Sequence, residues 1–261
     1  MSPQKNISLR RIILPVSGAV CAAFLLFILL NGNQDPAHIT GDTTVFSEAE
    51  SSWNERLLLA VEKDDYLLCA YLIGQGGDPN IRNRAGMSAL RLAVENSSIN
   101  CAAVLLEAGA DVNSVDAFGM TPVTVAAEKG KLPLMRLLWK NGADLNGNIL
   151  DEKTPLLAAC RSGKKPAVEF LLKHKVFLYP GRSSGNGPLL TALKKHHFHI
   201  VTFLLENGCS ADETDRDGNN LLMLAIRYNA SDLAAMLIEK QLIDLTAVNL
   251  AGENALFLVY F

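Results

Sequence analysis

From Gly119 to Asn146, apolar and polar positions follow a fixed order. Thr121 suits the N-cap of a helix whose first residue is Pro122, where the missing N–H costs nothing. Val125 and Ala126 give that helix a small, tight face, and Gly130 ends it. Pro133 opens a second helix. Its Leu134, Leu137 and Leu138 fall three and four residues apart, the spacing of one apolar helix face. Gly142 suits the left-handed residue that follows a helix C-terminus. The pattern predicts a helix, a turn, a second helix and a polar loop.

The unit recurs every 33 residues. Gly86, Gly119, Gly185 and Gly218 fall in phase, with Glu152 in the slot between. The small first-helix position is Ala60, Ala93, Ala126, Ala159, Ala192 and Ala225. The glycine after the second helix is Gly76, Gly109, Gly142 and Gly208. A β-turn and two helices at this period are the ankyrin signature. Gly119-Met120-Thr121-Pro122-Val123 and Asn141-Gly142-Ala143-Asp144-Leu145-Asn146 resemble the ankyrin consensus. So do Gly109-Ala110-Asp111-Val112-Asn113, Thr154-Pro155-Leu156 and Gly76-Gly77-Asp78-Pro79-Asn80. The resemblance covers roughly four fifths of the chain. It implies an all-α solenoid of about six ankyrin repeats plus a C-terminal half-repeat.

The repeats diverge in places. The first starts near Ser51 and lacks the Thr-Pro cap, as terminal repeats do. The fourth loses Gly-Ala-Asp and shows Lys173-His174-Lys175-Val176 instead, and the sixth carries one extra residue before Asp244. A seventh first helix begins at Asn254, a half-repeat cap or a truncated repeat. The family's histidine after Thr-Pro-Leu is absent; its slots hold Leu58, Arg91, Thr124, Leu157, Leu190, Met223 and Phe257. An array held mostly by apolar stacking is therefore expected, with few of the usual hydrogen bonds between neighbouring turns.

At 261 residues and 49% apolar, the chain is long enough to bury a substantial core. Its net charge of −3 is unevenly spread: Lys5, Arg10 and Arg11 give residues 1–30 a charge of +3 and leave −6 on the rest. No basic domain points to nucleic acid. Residues 12–30 form a run of 19 without a charged side chain. That is close to the roughly 20 residues a spanning helix needs and longer than the apolar core of a cleaved signal. The reading is a basic tail (1–11), a transmembrane signal anchor (12–30), a polar tether (31–50) and the repeat domain (51–261). Flanking charge places the tail in the cytoplasm and the repeats on the extracytoplasmic side of the plasma membrane.

Few motifs carry chemistry. Gly181-Arg182-Ser183-Ser184-Gly185 matches the hydrolase elbow, with Ser183 the candidate nucleophile. It sits in phase with the other inter-repeat loops, and its ordinary reading is a flexible Ser/Gly turn. His196, His197 and His199 have the chemistry of zinc ligands, yet no cysteine or carboxylate is close in sequence. Cys69 and Cys101 fall in second helices of adjacent repeats, whose axes pack about 8–10 Å apart. Buried free thiols are the reading for them. Asn96-Ser97-Ser98 and Asn229-Ala230-Ser231 are glycosylation sequons, relevant only in a eukaryotic secretory setting. No cofactor, metal or small-molecule substrate is expected, and no enzymatic activity.

The resemblance to ankyrin proteins implies a protein partner bound on a concave face built from loops and first-helix ends. Matched residue by residue, that face holds Arg84, Met87, Phe118 and Met120 toward one end. Toward the other it holds Lys153, Arg161, Lys194, Lys195, Arg227 and Tyr228. The function expected is a membrane-anchored binding module, in its sharpest form a bacterial immunity-type protein that neutralises a secreted toxin. The alternatives are a membrane scaffold for stress defence and a serine hydrolase using Ser183.

Overall fold

The computed structural model describes residues 53–147, 153–178 and 187–260. The apolar run at 12–30, the tether and the Gly181–Gly185 motif lie outside these residues. Among the described residues no helix is long and apolar enough to cross a membrane.

Among the described residues six helix pairs follow one another: α1 (Trp53–Glu62) and α2 (Tyr66–Gly74), α3 (Ala89–Asn96) and α4 (Ile99–Glu107), α5 (Pro122–Glu128) and α6 (Leu132–Lys140), α7 (Pro155–Arg161) and α8 (Lys165–Lys173), α9 (Pro188–Lys194) and α10 (Phe198–Glu206), α11 (Leu221–Arg227) and α12 (Ser231–Glu239). A short α13 (Phe257–Tyr260) opens a seventh unit. Only isolated β-bridges occur among the described residues, as at Arg82 with Ser88 and Thr214 with Asn220. The pairing of helices matches the sequence expectation closely, including α1 and α2 in the divergent first repeat.

The breaks between helices have a common cause. Within each pair the turn residue has positive φ: Asp64, Ser97, Gly130, Gly163, His196 and Asn229. This left-handed residue reverses the chain after a single intervening position, and Gly or Asn take it at least cost.

The chain forms two compact units. One comprises residues through Pro122 with Arg136–Ala143, the other Val123–Met135 with Asp144 onward. In the first, α1 packs on α3 and α2 on α4, so like helices stack from repeat to repeat. Leu57, Leu72, Leu90 and Leu105 are wholly buried between them, and Ala60 and Ala93 admit the close approach. In the second unit α9 packs on both α7 and α11. Leu171, Leu189, Leu193, Ile200 and Leu204 form its core, with Ala159, Ala192 and Ala225 at no exposure. Alanine recurs because a larger side chain there would hold the first helices apart.

Polar ties between repeats are more extensive than expected. Asn80 accepts the Asp111 N–H at 2.7 Å and donates to the Gly109 carbonyl at 3.4 Å. Asn113 repeats the donation to the Gly142 carbonyl, and Asn146 accepts the Phe177 N–H. These asparagines close the Gly-x-Asp-x-Asn segments of the first three repeats. The missing histidines are thus offset by a second ladder, and apolar stacking does not act alone.

Candidate functional site

Each described loop between repeats is organised by one Asn or Asp. Asp116 Oδ1 accepts the N–H groups of Phe118 and Met120 at 2.8 and 2.9 Å. Asn83, Asp215 and Asn249 do the same in their own loops. A short carboxylate or amide can satisfy two backbone donors of a tight turn without a second strand. The period of these residues was present in the sequence, but an isolated Asp in a polar loop gave no reason to single it out.

Asp116 is buried, with its side chain 1% exposed, and faces Arg91 of α3 at 3.3 Å. Arg91 also pairs with Glu95 one turn along its own helix. It occupies the slot that holds histidine in the consensus. The slot therefore keeps a polar role: the guanidinium joins α3 to the next repeat's loop. What that loop presents is Phe118, which is 69% exposed. Arg84 is exposed on the preceding loop, whereas Met87 and Met120 are half-buried. The two methionines expected at the loop tips thus have part of their surface in the fold, and Phe118 alone of the apolar group stands out into solvent.

In the second unit, Arg161, Lys194 and Arg227 lie in the last turns of α7, α9 and α11. They share one register position on helices that pack side by side, which makes a basic ladder. A cation at a helix C-terminus is favoured by the helix dipole, so the ladder also has a local reason to exist. Lys195 and Tyr228 are the C-cap residues of α9 and α11. Tyr228 stacks edge-on against His196 at 5.1 Å, and His196 meets Phe198 at 5.8 Å. Lys153 is half-buried at the start of the fourth repeat.

The histidines pack against this surface. His197 Nε2 lies 3.1 Å from the Arg161 carbonyl, and its ring covers Gly163, where a Cβ would come within 2.7 Å. His199 stands 6.1 Å from His197, ring to ring. Among the described residues no three His, Cys, Asp or Glu side chains are grouped to hold a metal ion. Cys69, Cys101 and Cys160 are buried and all three, with Cys209, are free. The neighbouring Cys69 thiol, together with burial, holds the Cys101 thiol far above its ordinary pKa.

A family model described as ankyrin repeats (three copies) matches residues 57–149, 145–215 and 178–249. The chain belongs to the ankyrin-repeat family. Among solved structures it is similar to the human ASB11 ankyrin repeat domain, with 27% identity and a TM-score of 0.66 over 77% of this chain and 90% of that one. It is also similar to the ankyrin repeat domain of Bcl-3, a member of the IkappaB protein family. There the identity is 23% and the TM-score 0.70, over 78% of this chain and 92% of that one, which bears on the fold alone. No curated protein matches the chain. The ankyrin array is a protein–protein interaction module.

Proposed function

We propose that the protein is a non-enzymatic docking module, anchored by residues 12–30, whose repeats bind a protein partner on the extracytoplasmic side of the membrane. The observation that carries this reading is the treatment of Phe118. A buried ion pair between Arg91 and Asp116 and two loop hydrogen bonds hold an aromatic side chain out in water. Removing charges from water is costly. An aromatic held exposed on a fixed loop is pre-organised to serve as an interface anchor. The basic ladder of Arg161, Lys194 and Arg227, with Lys195 and Tyr228 beside it, favours an acidic partner surface.

The sharper form of the proposal is an immunity-type role, in which the partner is a secreted bacterial toxin or effector. It rests on the anchored topology read from Lys5, Arg10 and Arg11, and on analogy. Two measurements test it. Alkaline phosphatase fused after Glu50 is expected to be active, and a reporter that works only in the cytoplasm inactive; the reverse pattern refutes the location and the immunity role together. Co-purification of the full chain from solubilised membranes is expected to bring down an acidic protein, and to lose it when Phe118→Ala is introduced. A parent protein that captures nothing refutes the docking function under those conditions of expression.

A further inference from the structure

We propose that a cleft between α8 and α10 is a second docking site, fitted to an acidic peptide segment that carries one apolar anchor side chain. The cleft lies at the C-terminal ends of these second helices, at the other end of α8 from the Arg161 turn. It goes beyond the ladder surface and does not depend on it. Its volume is about 550 Å³. Leu172, Val176, Leu178 and Phe203 make an apolar floor, and Lys173 and Lys175 stand on the rim.

Two observations mark the cleft as more than a gap. Lys175, on its rim, takes the slot that Gly76, Gly109, Gly142 and Gly208 hold after their second helices; its φ of 54° is matched by Gln241 at φ 50° in the sixth repeat, so the backbone alone does not single the site out. The first is charge. Lys165 sets its ammonium 4.9 Å from the Phe203 ring centroid, so three lysines surround the floor. Glu169 is the one acid among the lining residues, and the site keeps an excess of positive charge. The second is exposed apolar surface: Leu178, in the lining, is 36% exposed.

These features select the occupant. The volume falls within the roughly 300–1,000 Å³ of pockets that enclose a small ligand or a side chain, and is too small for a folded surface. The floor favours one large apolar group, and the lysines favour carboxylates on either side of it. A peptide of the form acid, aromatic, acid supplies both.

The test uses the full chain and fluorescence anisotropy with a labelled hexapeptide holding one Phe between Glu residues. Binding is expected, and weaker by about tenfold or more when the peptide's Phe is replaced by Ser or its Glu by Lys. Equal binding of either control peptide overturns the proposal. So does binding of hexanoate in place of the peptide, which would make the cleft a site for anionic amphiphiles. Lys175→Gly is expected to raise the melting temperature, by relieving the backbone, while weakening the peptide about tenfold. A folded Lys175→Gly protein that binds like the parent overturns the proposal as well. Lys194→Glu with Lys195→Glu is expected to leave this binding unchanged, which separates the cleft from the ladder surface; a loss there instead places the peptide on the ladder and overturns the assignment to the cleft.

Discussion

Glu213 occupies the space that a side chain on Gly187 would fill. Gly187 is the N-cap of α9 and has no side chain to offer the helix. The Glu213 carboxylate, from the next repeat, accepts the Leu190 N–H at 3.0 Å and the Leu189 N–H at 3.4 Å in its place. A Cβ on Gly187 would overlap that carboxyl. A related contact appears in the first unit, where the N-cap Ser88, which accepts the Arg91 N–H itself, is hydrogen-bonded to Ser114 at 2.9 Å. Both partners lie 26 residues after the cap. One repeat thus caps, or braces the cap of, the helix before it.

This relationship predicts a reversal of sign. Glu213→Ala leaves two helix N–H groups without their acceptor and should cost about 1–2 kcal/mol. Gly187→Ser should destabilise the parent, because the new side chain meets the carboxyl. In the Glu213→Ala background the same change should recover a few tenths to about 1 kcal/mol by restoring an ordinary cap. Denaturant unfolding of the four proteins checks this. Additive effects would show that the two residues do not share the site.

Burial holds the Glu213 carboxyl above its ordinary pKa, against the opposing pull of its two backbone donors and Lys194. A raised folded-state pKa means the folded chain binds the proton more readily than the unfolded one. The linked stability is present below the ordinary glutamate range, near about 4.3, and is lost as pH rises through the folded value. The advantage of the parent over Glu213→Ala should therefore shrink as pH rises above the ordinary glutamate range of about 4.3. An advantage that grows over that range contradicts the assignment.

The Arg91–Asp116 pair predicts a coupling between stability and display. Asp116→Ala strips the acceptor from Phe118 and Met120 and leaves Arg91 without one of its two acidic partners. A cost of about 3–5 kcal/mol is expected for breaking a buried pair from one side. Asp116→Asn keeps the Oδ1 acceptor and should cost less while holding the loop. Partner affinity should follow the loop, falling for Ala and surviving in Asn. Equal affinity in both variants would show that a fixed Phe118 is not required.

Phe118 and the ladder should fail in different ways once a partner is in hand. Phe118→Ala is expected to speed dissociation, with a loss of about 1–4 kcal/mol. Reversing Lys194 and Lys195 to Glu should slow association, most at low salt, where screening is weak. Surface-binding kinetics at two salt concentrations distinguish the two. Parent-like kinetics in both variants place the binding face elsewhere on the array.

The sequence determined the architecture by itself. The 33-residue phase of Ala60 through Ala225, the Thr-Pro and Gly positions and the Leu spacing each specify a local conformation, and repetition makes those local choices agree. Contacts in such an array are between neighbours, so little about its fold depends on distant residues. The basic ladder was legible for the same reason: Arg161, Lys194 and Arg227 are one period apart.

What only the tertiary structure decided was which side chains cross from one repeat to the next. Arg91 read as a lost histidine, yet it reaches Asp116 in the following loop. Glu213 lies in a loop of the next repeat, yet it closes the helix whose N-cap Gly187 stands 26 residues earlier. Met87 and Met120 read as exposed tips and are half-buried. Lys175 read as a lapse from consensus, and it lines a cleft made by a helix of the next repeat. Periodicity reports the face on which a residue lies. It carries no information on whether a long polar side chain, given several rotamers, spans the gap between two stacked units. That choice is made by the distance and direction of the neighbouring backbone.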